Sequence, residues 1–316
     1  MLTRTAMPAD PTTGAVPDAA TPDLSVVVPS VNGGRTLLEC LTALQRNATT
    51  GVVLEILVVD RCGDVIRRIV RKCFPEVVVL PVDPQTSIPE MRALAFRHAR
   101  ADAVAVIEDH VLVPRHWSRQ LLSGLREGHD VIGGTVDNAA STRTVDWAAF
   151  LCEYSHVASA AAGETDTLTG NNVVYRRAVL EKYASTIAQG RWEDHLHRAM
   201  RRGGVTLTCR PHISVHHKMH YTVGEYVTQR YLYARSYAGL RRVDLGTAGR
   251  LVFTIGTAAL PAILFLRIVR RVVLNDRYRP HLVRSLPLIA LFVCAWAIGE
   301  AVGYVAGPGD ALSRIR

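Results

Sequence analysis

Two acidic segments stand at points where short apolar runs of the chain end. Asp60 closes the run EILVVD, and Glu108-Asp109-His110 closes the run DAVAVI. Residues two apart in an extended chain point to the same side, so Glu108 and His110 face together and Asp109 faces the opposite way. A carboxylate and an imidazole in this arrangement can share a divalent cation that bridges a diphosphate. The alternative is that they are ordinary solvated residues at the end of a strand.

A further acidic pair, Glu193-Asp194, follows Arg191-Trp192 at the start of an apparent helix. A carboxylate at the start of a helix can simply favour the helix dipole. The same position also suits a general base that removes the proton of an acceptor hydroxyl. The sequence by itself leaves both interpretations open.

Three histidines occur within five residues, shortly after a predicted strand that ends at Pro211. They are His216, His217 and His220. Histidine nitrogens suit a metal ligand or a phosphate contact, and a solvent-facing cluster is the alternative.

Two glycines, Gly33-Gly34, follow the first apolar run in the segment VPSVNGGR and invite comparison with phosphate-binding loops. The segment has neither the spacing G-x-G-x-x-G nor the lysine of a P-loop. Dinucleotide binding and P-loop nucleotide binding of the usual kind are therefore disfavoured.

Short apolar runs alternate with helical patterns between residues 24 and 137, and these elements must position the acidic segments. The predicted strands are 24–29, 55–60, 77–82 and 102–109, and the predicted helices are 36–47, 64–74, 88–100 and 116–127. Continuous β-branched runs are typical of strands that are buried on both faces. The alternation predicts an α/β fold, a mixed and mostly parallel sheet flanked by helices. In such sheets ligands bind beyond the carboxyl ends of the strands, where Asp60 and Glu108 stand.

Beyond residue 137 the periodicity weakens, with one helix predicted near 145–160 and another, rich in tyrosine, at 219–240. Gln229, Arg230 and Arg235 lie on the second of these helices. We expect them near the mouth of the site, where cations can hold a diphosphate or a lipid phosphate. An interfacial aromatic belt without a role in chemistry is the alternative.

The composition of the 316-residue chain excludes disorder of the whole, since 48% of its residues are hydrophobic and 21% are charged. Its net charge of +9 suits phosphorylated substrates, acidic lipid head groups or nucleic acid. Nucleic acid is disfavoured, because the arginines are spread out and no basic strand face is interleaved with aromatic residues. The six cysteines form no C-x-x-C pair, which disfavours a zinc ribbon or a redox motif.

Two apolar runs near the end of the sequence, 251–266 and 285–299, contain no charged residue. Each is shorter than the ~20 residues that span a bilayer. The flanking Arg250, Arg267 and Arg284 can extend the runs by reaching the membrane interface. We predict two hydrophobic membrane helices, and a buried hairpin in a soluble protein is the alternative.

The linker between these runs, residues 267–284, is strongly basic, and the positive-inside rule places it in the cytoplasm. Two full spans would instead place it across the membrane from the preceding domain. The sequence does not decide whether the two helices cross the membrane or enter it and return to the same side. Attachment to acidic lipid is compatible with either topology. Residues 1–23 lack the apolar core of a secretory signal, so we expect a flexible tail and a cell-membrane protein whose catalytic domain faces the cytoplasm.

Five segments, taken in order, resemble the family 2 glycosyltransferases, which are inverting enzymes with the GT-A fold. They are LSVVVPSVNGGRTLLECLTAL, EILVVDRCGD, SIPEMRALAFRHARADAVAVIEDHVLVPRHW, TGNNVVYRRAVL and RWEDHLHRAMRRGGVTLTCRP. The resemblance covers residues 24–240 and implies a GT-A catalytic domain at 24–220. The remaining predicted divisions are a nucleotide-binding half at 24–137, an acceptor-side half at 138–220, an interfacial helix at 221–246, two membrane helices at 247–307 and a tail at 308–316.

The resemblance also implies roles for individual residues. Asp194 would be the catalytic base, with Glu193 beside it. The nucleotide-binding residues would be Pro29, Asn32, Asp60, Arg92, Glu108 and Asp109. The acceptor-side residues would be Asn171, Asn172, Trp192, Arg230 and Arg235. The metal ligands would be Glu108 and His110, with His216 or His217 as the later ligand.

The sequence departs from the family pattern at two places. Glu108 and His110 stand where such enzymes usually carry D-x-D. Glutamate is an adequate oxygen ligand, and histidine suits Mn²⁺ better than Mg²⁺, so one of these two divalent ions is the expected cofactor. Gly63 replaces the serine that follows the first aspartate of the family, so base recognition is expected to differ.

The resemblance predicts an inverting glycosyltransferase that moves a hexosyl group from a nucleotide-diphosphate sugar to a lipid-linked or polysaccharide acceptor of the cell envelope. A non-catalytic nucleotide-sugar-binding module, or a degenerate relative, is the runner-up. Tyr233 stands where processive synthases carry the tryptophan of Q-x-x-R-W, and the apolar segments are too few for a translocation channel. Processive polymerisation is therefore disfavoured.

Overall fold

The structure is a computed structural model that describes residues 21–48, 51–158 and 160–316. The tail predicted at 1–23 lies, up to residue 20, outside the described residues. Within the described ranges, nine strands form a single sheet. The strands are β1 (Leu24–Ser30), β2 (Leu54–Asp60), β3 (Val78–Pro81), β4 (Ala103–Val106), β5 (Val111–Leu112), β6 (Val131–Asn138), β7 (Gly163–Glu164), β8 (Val173–Arg176) and β9 (Leu207–His217). The helices are α1 (Gly34–Ala48), α2 (Asp64–Cys73), α3 (Ile88–His98), α4 (Trp117–Arg126), α5 (Thr144–Tyr154), α6 (Arg177–Lys182), α7 (Ala184–Ile187), α8 (Glu193–Arg202), α9 (Val223–Arg241), α10 (Thr247–Gly256), α11 (Leu260–Val273), α12 (Arg279–Ala306) and α13 (Ala311–Arg314).

The sheet has a parallel half and a mixed half. Strands β3, β2, β1 and β4 lie side by side in that order and run parallel. Strand β8 is antiparallel to both β4 and β6, and β6 runs parallel to β9. The short strands β5 and β7 are antiparallel to β9. The predicted fold class, a mixed and mostly parallel sheet flanked by helices, is confirmed.

The central strands of the parallel half carry the predicted apolar runs. All seven residues of β1 are buried, as a strand covered by helices on both faces requires. Helix α3 begins at a capping box in which the side chains of Ser87 and Glu90 satisfy each other's backbone N–H groups. Because β1, β2 and β4 are parallel, the loops after them meet at one edge of the sheet.

Two differences from the predicted strands bear on that edge. The strand predicted at 102–109 ends at Val106, so Glu108 and His110 lie in the turn that follows β4. Strand β6 was not predicted, because Gly133 and Gly134 interrupt its apolar pattern. A Cβ atom on Gly134 would lie 1.7 Å from the carbonyl oxygen of Ile213, so glycine is required where β9 approaches β6.

Helices α9 and α12 pack against each other along most of their length. The ring of Tyr226 on α9 meets that of Phe292 on α12 edge to face. A Cβ atom on Gly299 would lie 2.4 Å from the carbonyl oxygen of Tyr231, and Gly303 meets the backbone of α9 in the same way one turn later. Small residues four apart allow this close approach of two helices.

The helices α10, α11 and α12 form a hairpin, residues 247–306, that contacts the sheet domain (residues 24–217) beside its turn. The hydroxyl of Tyr278 donates to Asp137 Oδ1 at 2.7 Å, and the rings of His281 and Trp147 are stacked 3.6 Å apart. The stretches Thr247–Val273 and Arg279–Ala306 are long and apolar enough to cross a membrane, with 11% and 44% of their apolar windows buried. Helices α10 and α11 are therefore the outer arm of the hairpin and α12 is the inner arm.

Residues 308–316, predicted as a tail, fold back onto the sheet domain. The side chains of Ala311 and Ile315 are completely buried. They belong to a small apolar cluster with Ile88, Trp192 and Leu232. The backbone N–H of Arg316 donates to Gln229 Oε1 of α9 at 2.9 Å. This segment is thus a packed part of the structure.

Candidate active site

The loop after β1 is held in place by the carboxylate of Asp109. Its Oδ2 atom accepts hydrogen bonds from the backbone N–H groups of Val31, Asn32 and Gly33 at 2.9, 2.7 and 3.1 Å. Burial acts to raise the pKa of Asp109, but hydrogen bonds from His110 and Asn32 lower it below its ordinary value. The structure therefore places Asp109, expected at the nucleotide, beneath the loop that carries Asn32.

Glu108, His110 and His217 form a compact cluster at the carboxyl edge of the sheet. His110 Nε2 lies 3.4 Å from Glu108 Oε2 and 2.9 Å from His217 Nε2. One ligand atom from each of the three residues lies within 4.8 Å of the others. The pairing of Val111 on β5 with His217 on β9 brings the histidine to the turn after β4.

The other two histidines of the sequence segment lie elsewhere. His216 precedes His217 on β9 and is not part of the cluster, because successive strand residues face opposite sides of a sheet. His220 lies 2.8 Å from Asp146 Oδ2, at the start of α5. The structure thus brings one histidine of the three to Glu108 and His110.

The two imidazoles of the cluster differ strongly in their affinity for a proton. Burial opposes the charged form of His110, but hydrogen bonds to Asp109 and Glu108 outweigh it and raise the pKa of His110 to about 10. Burial and the charge of His110 lower the pKa of His217 to about 3. Without a bound cation, His110 is therefore the donor in the contact between the two Nε2 atoms, and a cation that binds Nε2 would displace this proton.

The donor chemistry of the cluster fits a divalent cation. One carboxylate and two imidazoles make a mixed oxygen and nitrogen set that suits Mn²⁺. His110 Nδ1 lies 2.9 Å from Asp109 Oδ1, so the carboxylate of Asp109 accepts the Nδ1 proton and turns Nε2 toward the other ligands. A carboxylate behind a ligating histidine commonly fixes the ring in this way.

Arg92 joins this cluster to the start of α8. Its Nη1 atom donates to Glu193 Oε2 at 2.7 Å, its Nη2 atom donates to the Gly170 carbonyl at 3.0 Å, and Nη2 lies 3.8 Å from Glu108 Oε1. The guanidinium is buried, and the charges of the two glutamates raise its pKa against the effect of burial. Arg92 therefore contacts two of the acidic segments identified in the sequence, the one that contains Glu108 and the one that contains Glu193.

Asp194 opens α8 next to Glu193, where its side chain is 35% exposed. Arg198 Nη2 donates to Asp194 Oδ2 at 2.6 Å. Partial burial raises the pKa of Asp194 to about 6, against the opposing charge of Arg198. Such a carboxylate is ionised at neutral pH and is a stronger base than an ordinary aspartate.

Two open spaces meet at the cluster. The inner cavity, about 280 Å³, is lined by Glu108, Asn171, Trp192, Asp194, Arg230 and Trp296, among others. The outer cleft, about 770 Å³, is lined by Asn32, Arg61, Cys62, Gln229, Arg314 and Arg316, among others. The constriction between them is lined by Pro29, Glu108, His110, Glu153, His217 and Arg316, among others. The cluster therefore separates a space that contains Asp194 from one that contains Asn32.

Asp60 lies at the end of β2 and is almost completely buried. Its carboxylate accepts from Ser30 Oγ and Arg67 Nε, each at 2.9 Å, and from the backbone N–H groups of Cys62 and Gly63 at 3.3 and 3.2 Å. Ser30 is the last residue of β1, Arg67 lies on α2, and Cys62 and Gly63 form the turn between β2 and α2. Asp60 therefore fixes the turn that carries Cys62, which lines the outer cleft.

The two asparagines predicted on the acceptor side differ in position. Asn171 Nδ2 donates to Glu108 Oε2 at 3.2 Å and to the Tyr154 hydroxyl at 2.8 Å, which ties it to the cluster. Asn172 is fully buried, and its Oδ1 accepts from Trp117 Nε1 at 2.9 Å. Its amide group also donates to two backbone carbonyls, so Asn172 holds the sheet together.

The other predicted acceptor-side residues also separate into two groups. Trp192 is buried and stacks on aromatic side chains of α9 at one wall of the inner cavity. The guanidinium of Arg230 lies 4.1 Å above the ring of Trp296 and lines the same cavity. Arg235 points away from the cavity, because its Nε atom donates to the carbonyl of Gly307 at 3.2 Å.

The sequence analysis missed Glu153, which lines both the constriction and the inner cavity from α5. Burial and the charge of Glu108 raise the pKa of Glu153 to about 7. The available signal was a single carboxylate within the apolar helical stretch WAAFLCEY.

Comparisons with known proteins agree with this architecture. The family described as Glycosyl transferase family 2 matches residues 25–184. No curated protein gives a significant match. Among solved structures, S. aureus TarS 1-349 is 16% identical over 89% of this chain and 90% of that chain, with a TM-score of 0.49. The mannosyltransferase PcManGT from Pyrobaculum calidifontis, in complex with GDP-Man and Mn²⁺, is 16% identical over 89% of this chain and 88% of that chain, with a TM-score of 0.52.

Proposed function

The chain belongs to glycosyl transferase family 2, and on this basis we propose that it moves a sugar from a nucleotide-diphosphate sugar to an acceptor hydroxyl with inversion at the anomeric carbon. The observation that carries the proposal is the arginine bridge between Glu108 and Glu193. It ties Glu108 of the cluster to Glu193, the neighbour of Asp194, and Glu108 and Asp194 line the same cavity. A leaving diphosphate and an attacking hydroxyl need groups of these two kinds on opposite sides of the sugar.

In the proposed reaction Asp194 accepts the proton of the acceptor hydroxyl while the hydroxyl oxygen bonds to the anomeric carbon. The bond from that carbon to the diphosphate oxygen breaks, and its electron pair leaves with the nucleoside diphosphate. General-base assistance of this kind contributes about 10²–10⁴-fold to the rate. A divalent cation held by Glu108, His110 and His217 would supply neutralisation of charge on the leaving diphosphate.

The proposed partners follow from the two spaces. We assign the outer cleft to the nucleotide, since it lies at the ends of β1 and β2, and the inner cavity to the sugar and acceptor. GDP-Man and Mn²⁺, which the similar mannosyltransferase binds, are the first donor and ion to test. The proposed acceptor is a lipid-linked saccharide or an envelope polysaccharide, because a hydrophobic hairpin stands beside the inner cavity and contributes Trp296 to it.

We further propose that the hairpin attaches the protein to the cytoplasmic face of the cell membrane without crossing it. Both ends of α12 contact the sheet domain or α9, through Tyr278 at one end and Gly307 at the other. A helix held at both ends, and packed on α9 along most of its length, cannot also run through a bilayer away from the domain. The outer arm, α10 and α11, presents exposed apolar side chains that include Leu251, Val252, Ile255 and Leu266.

Lying in the membrane surface also suits the charges of the hairpin. The basic linker 267–284 then stays on the side of the catalytic domain, as the positive-inside rule requires. Its arginines can contact acidic lipid head groups while the apolar arm enters the acyl boundary.

The test of the transferase proposal is a donor screen on purified protein, with release of nucleoside diphosphate as the readout. We expect release from one nucleotide sugar in the presence of Mn²⁺ and membrane extract, and loss of release in Asp194→Asn. Glu181→Gln, an exposed glutamate on α6, is the matched control and should keep full activity. Binding of nucleotide sugars without release from any of them would favour the runner-up, a non-catalytic binding module.

A further inference from the structure

We propose that residues 308–316 form a wall of the donor site, in which the guanidinium groups of Arg61 and Arg316 bind the diphosphate of the nucleotide sugar. The inference rests on the proposed function and extends it to a segment and two cations that the family resemblance did not assign.

Arg61 is a buried cation whose protein partners are neutral. It is 8% exposed, its Nη1 donates to the Thr86 carbonyl at 2.8 Å, and its Nη2 donates to the Ile315 carbonyl. Across the described ranges, no carboxylate of another residue forms an ion pair with it. The charge of Asp109 acts on Arg61 without forming an ion pair with it. A buried charge without a directly paired counter-ion is costly, so the site favours an anion. Arg61 lines the outer cleft, where an anion can enter.

Arg316 lies on the same wall and reaches further toward the cluster. It lines both the outer cleft and the constriction that holds Glu108 and His110. Burial lowers the pKa of Arg61, the charge of Asp109 opposes this shift, and the positive charge of Arg316 adds to it. An anion placed between these two neighbouring cations would reduce the repulsion between them. A diphosphate carries enough negative charge to pair with both.

Residues 308–316 are fixed by contacts near their start, in their middle and at their end. Near the start, a Cβ atom on Gly239 of α9 would lie 2.2 Å from the Pro308 nitrogen, so the segment crosses α9 in close contact. In the middle, Ala311 and Ile315 are completely buried. At the end, Gln229 accepts from the backbone of Arg316. The cations are therefore presented by a fixed surface, which reduces the entropy lost on binding.

The position of the wall matches the chemistry of the donor. The diphosphate would lie between Arg61 and Arg316 on one side and the Glu108, His110 and His217 cluster on the other. The nucleoside would then occupy the outer cleft and the sugar would face the inner cavity. In this arrangement the two arginines bind the donor and hold the leaving group, and they transfer no proton.

The test is calorimetric titration of the full chain with UDP, GDP, UMP and GMP in the presence of Mn²⁺. We expect Arg316→Gln to weaken binding of the preferred nucleoside diphosphate about tenfold and that of its monophosphate much less, since charge-assisted contacts to the second phosphate are lost. Arg61→Lys, which keeps the charge in a buried position, should weaken diphosphate binding by a smaller factor. Arg126→Gln, an exposed arginine at the end of α4, is the control and should bind as the wild type does.

The outcomes separate this proposal from the proposed function. Wild-type turnover together with unchanged diphosphate affinity in Arg316→Gln would overturn the wall and leave the transferase intact. An equal loss for monophosphate and diphosphate would also contradict it, since the arginines would then act on the nucleoside end. Absence of both nucleotide binding and turnover in the wild type would instead remove the transferase function itself.

Discussion

The Nε2 atoms of His110 and His217 lie 2.9 Å apart, although 107 positions separate the two residues in the chain. The contact exists because β5, directly after the turn that carries His110, pairs with the end of β9. Neither histidine defines a site alone. Together with Glu108 they provide three ligand atoms at the carboxyl edge of the sheet.

Substitution of His217 by glutamine should therefore reduce transferase activity strongly. Loss of one ligand from a three-residue set weakens metal binding, and even supporting groups typically contribute 10–100-fold to it. We expect activity that falls at least as far and is partly restored by high Mn²⁺, measured as nucleoside diphosphate release. His216→Gln is the matched control, and equal losses in both variants would contradict the assignment of His217. A wild-type enzyme indifferent to chelator would remove the metal role.

Substitution of Asp194 by asparagine should lower kcat by about 10²–10⁴-fold while nucleotide binding is retained. The amide keeps the shape of the side chain and cannot accept the acceptor proton. Turnover numbers and nucleotide affinity measured on the same preparation separate the two effects. Normal turnover in this variant would show that another group is the base.

The pH dependence should follow the raised pKa of Asp194, about 6. The base acts when it is deprotonated, so kcat/KM should rise with pH through a midpoint near 6 and level off above it. Arg198 lowers this pKa, so Arg198→Gln should move the midpoint of the profile to higher pH. A profile whose midpoint is the same in wild type and Arg198→Gln would argue against Asp194 as the titrating base.

Replacement of Arg92 by methionine should affect both stability and activity. It leaves Glu108 and Glu193 without their shared cation, and we expect a loss of about 2 kcal/mol in the free energy of unfolding. Urea denaturation measures this loss, and Arg92→Lys should recover part of it. A stable Arg92→Met enzyme with wild-type activity would show that Arg92 is not needed to position Glu108 and Glu193.

The topology of the hairpin can be measured by labelling single cysteines in membrane vesicles, in a variant that lacks the native cysteines. Leu274→Cys lies in the basic linker and is 76% exposed, and Glu181→Cys marks the sheet domain. We expect an impermeant maleimide to label both from the same side of the membrane. Labelling from opposite sides would mean that the helices cross the bilayer.

The sequence predicted much of this site because its residues follow buried strands. The apolar runs before Asp60 and Glu108 have the pattern of buried strands. Parallel pairing then places the carboxyl ends of these strands at one edge of the sheet, independently of the loop sequences. The choice between His216 and His217 stayed open, because it depends on the register in which β9 pairs with β5 and on which of the two side chains then faces Glu108 and His110. Glu153 was missed, since one carboxylate directly after the apolar run WAAFLC forms no spacing pattern.

The role of residues 308–316 was also beyond sequence reasoning. Their composition is that of an ordinary polar end, and the close contact of Pro308 with Gly239 arises only when α12 lies along α9. Contacts between elements so distant in the chain depend on how whole helices pack, which local patterns do not specify.

Trp296 belongs at once to the apolar hairpin and to the wall of the cavity that holds Asp194. An amphiphilic acceptor would therefore never have to leave the lipid phase to react: its hydrocarbon chain would stay among neighbouring acyl chains while its head group passed sideways over the indole. Reaction would then be limited by diffusion in two dimensions, and the turnover of such an acceptor would depend on its surface density rather than on its bulk concentration.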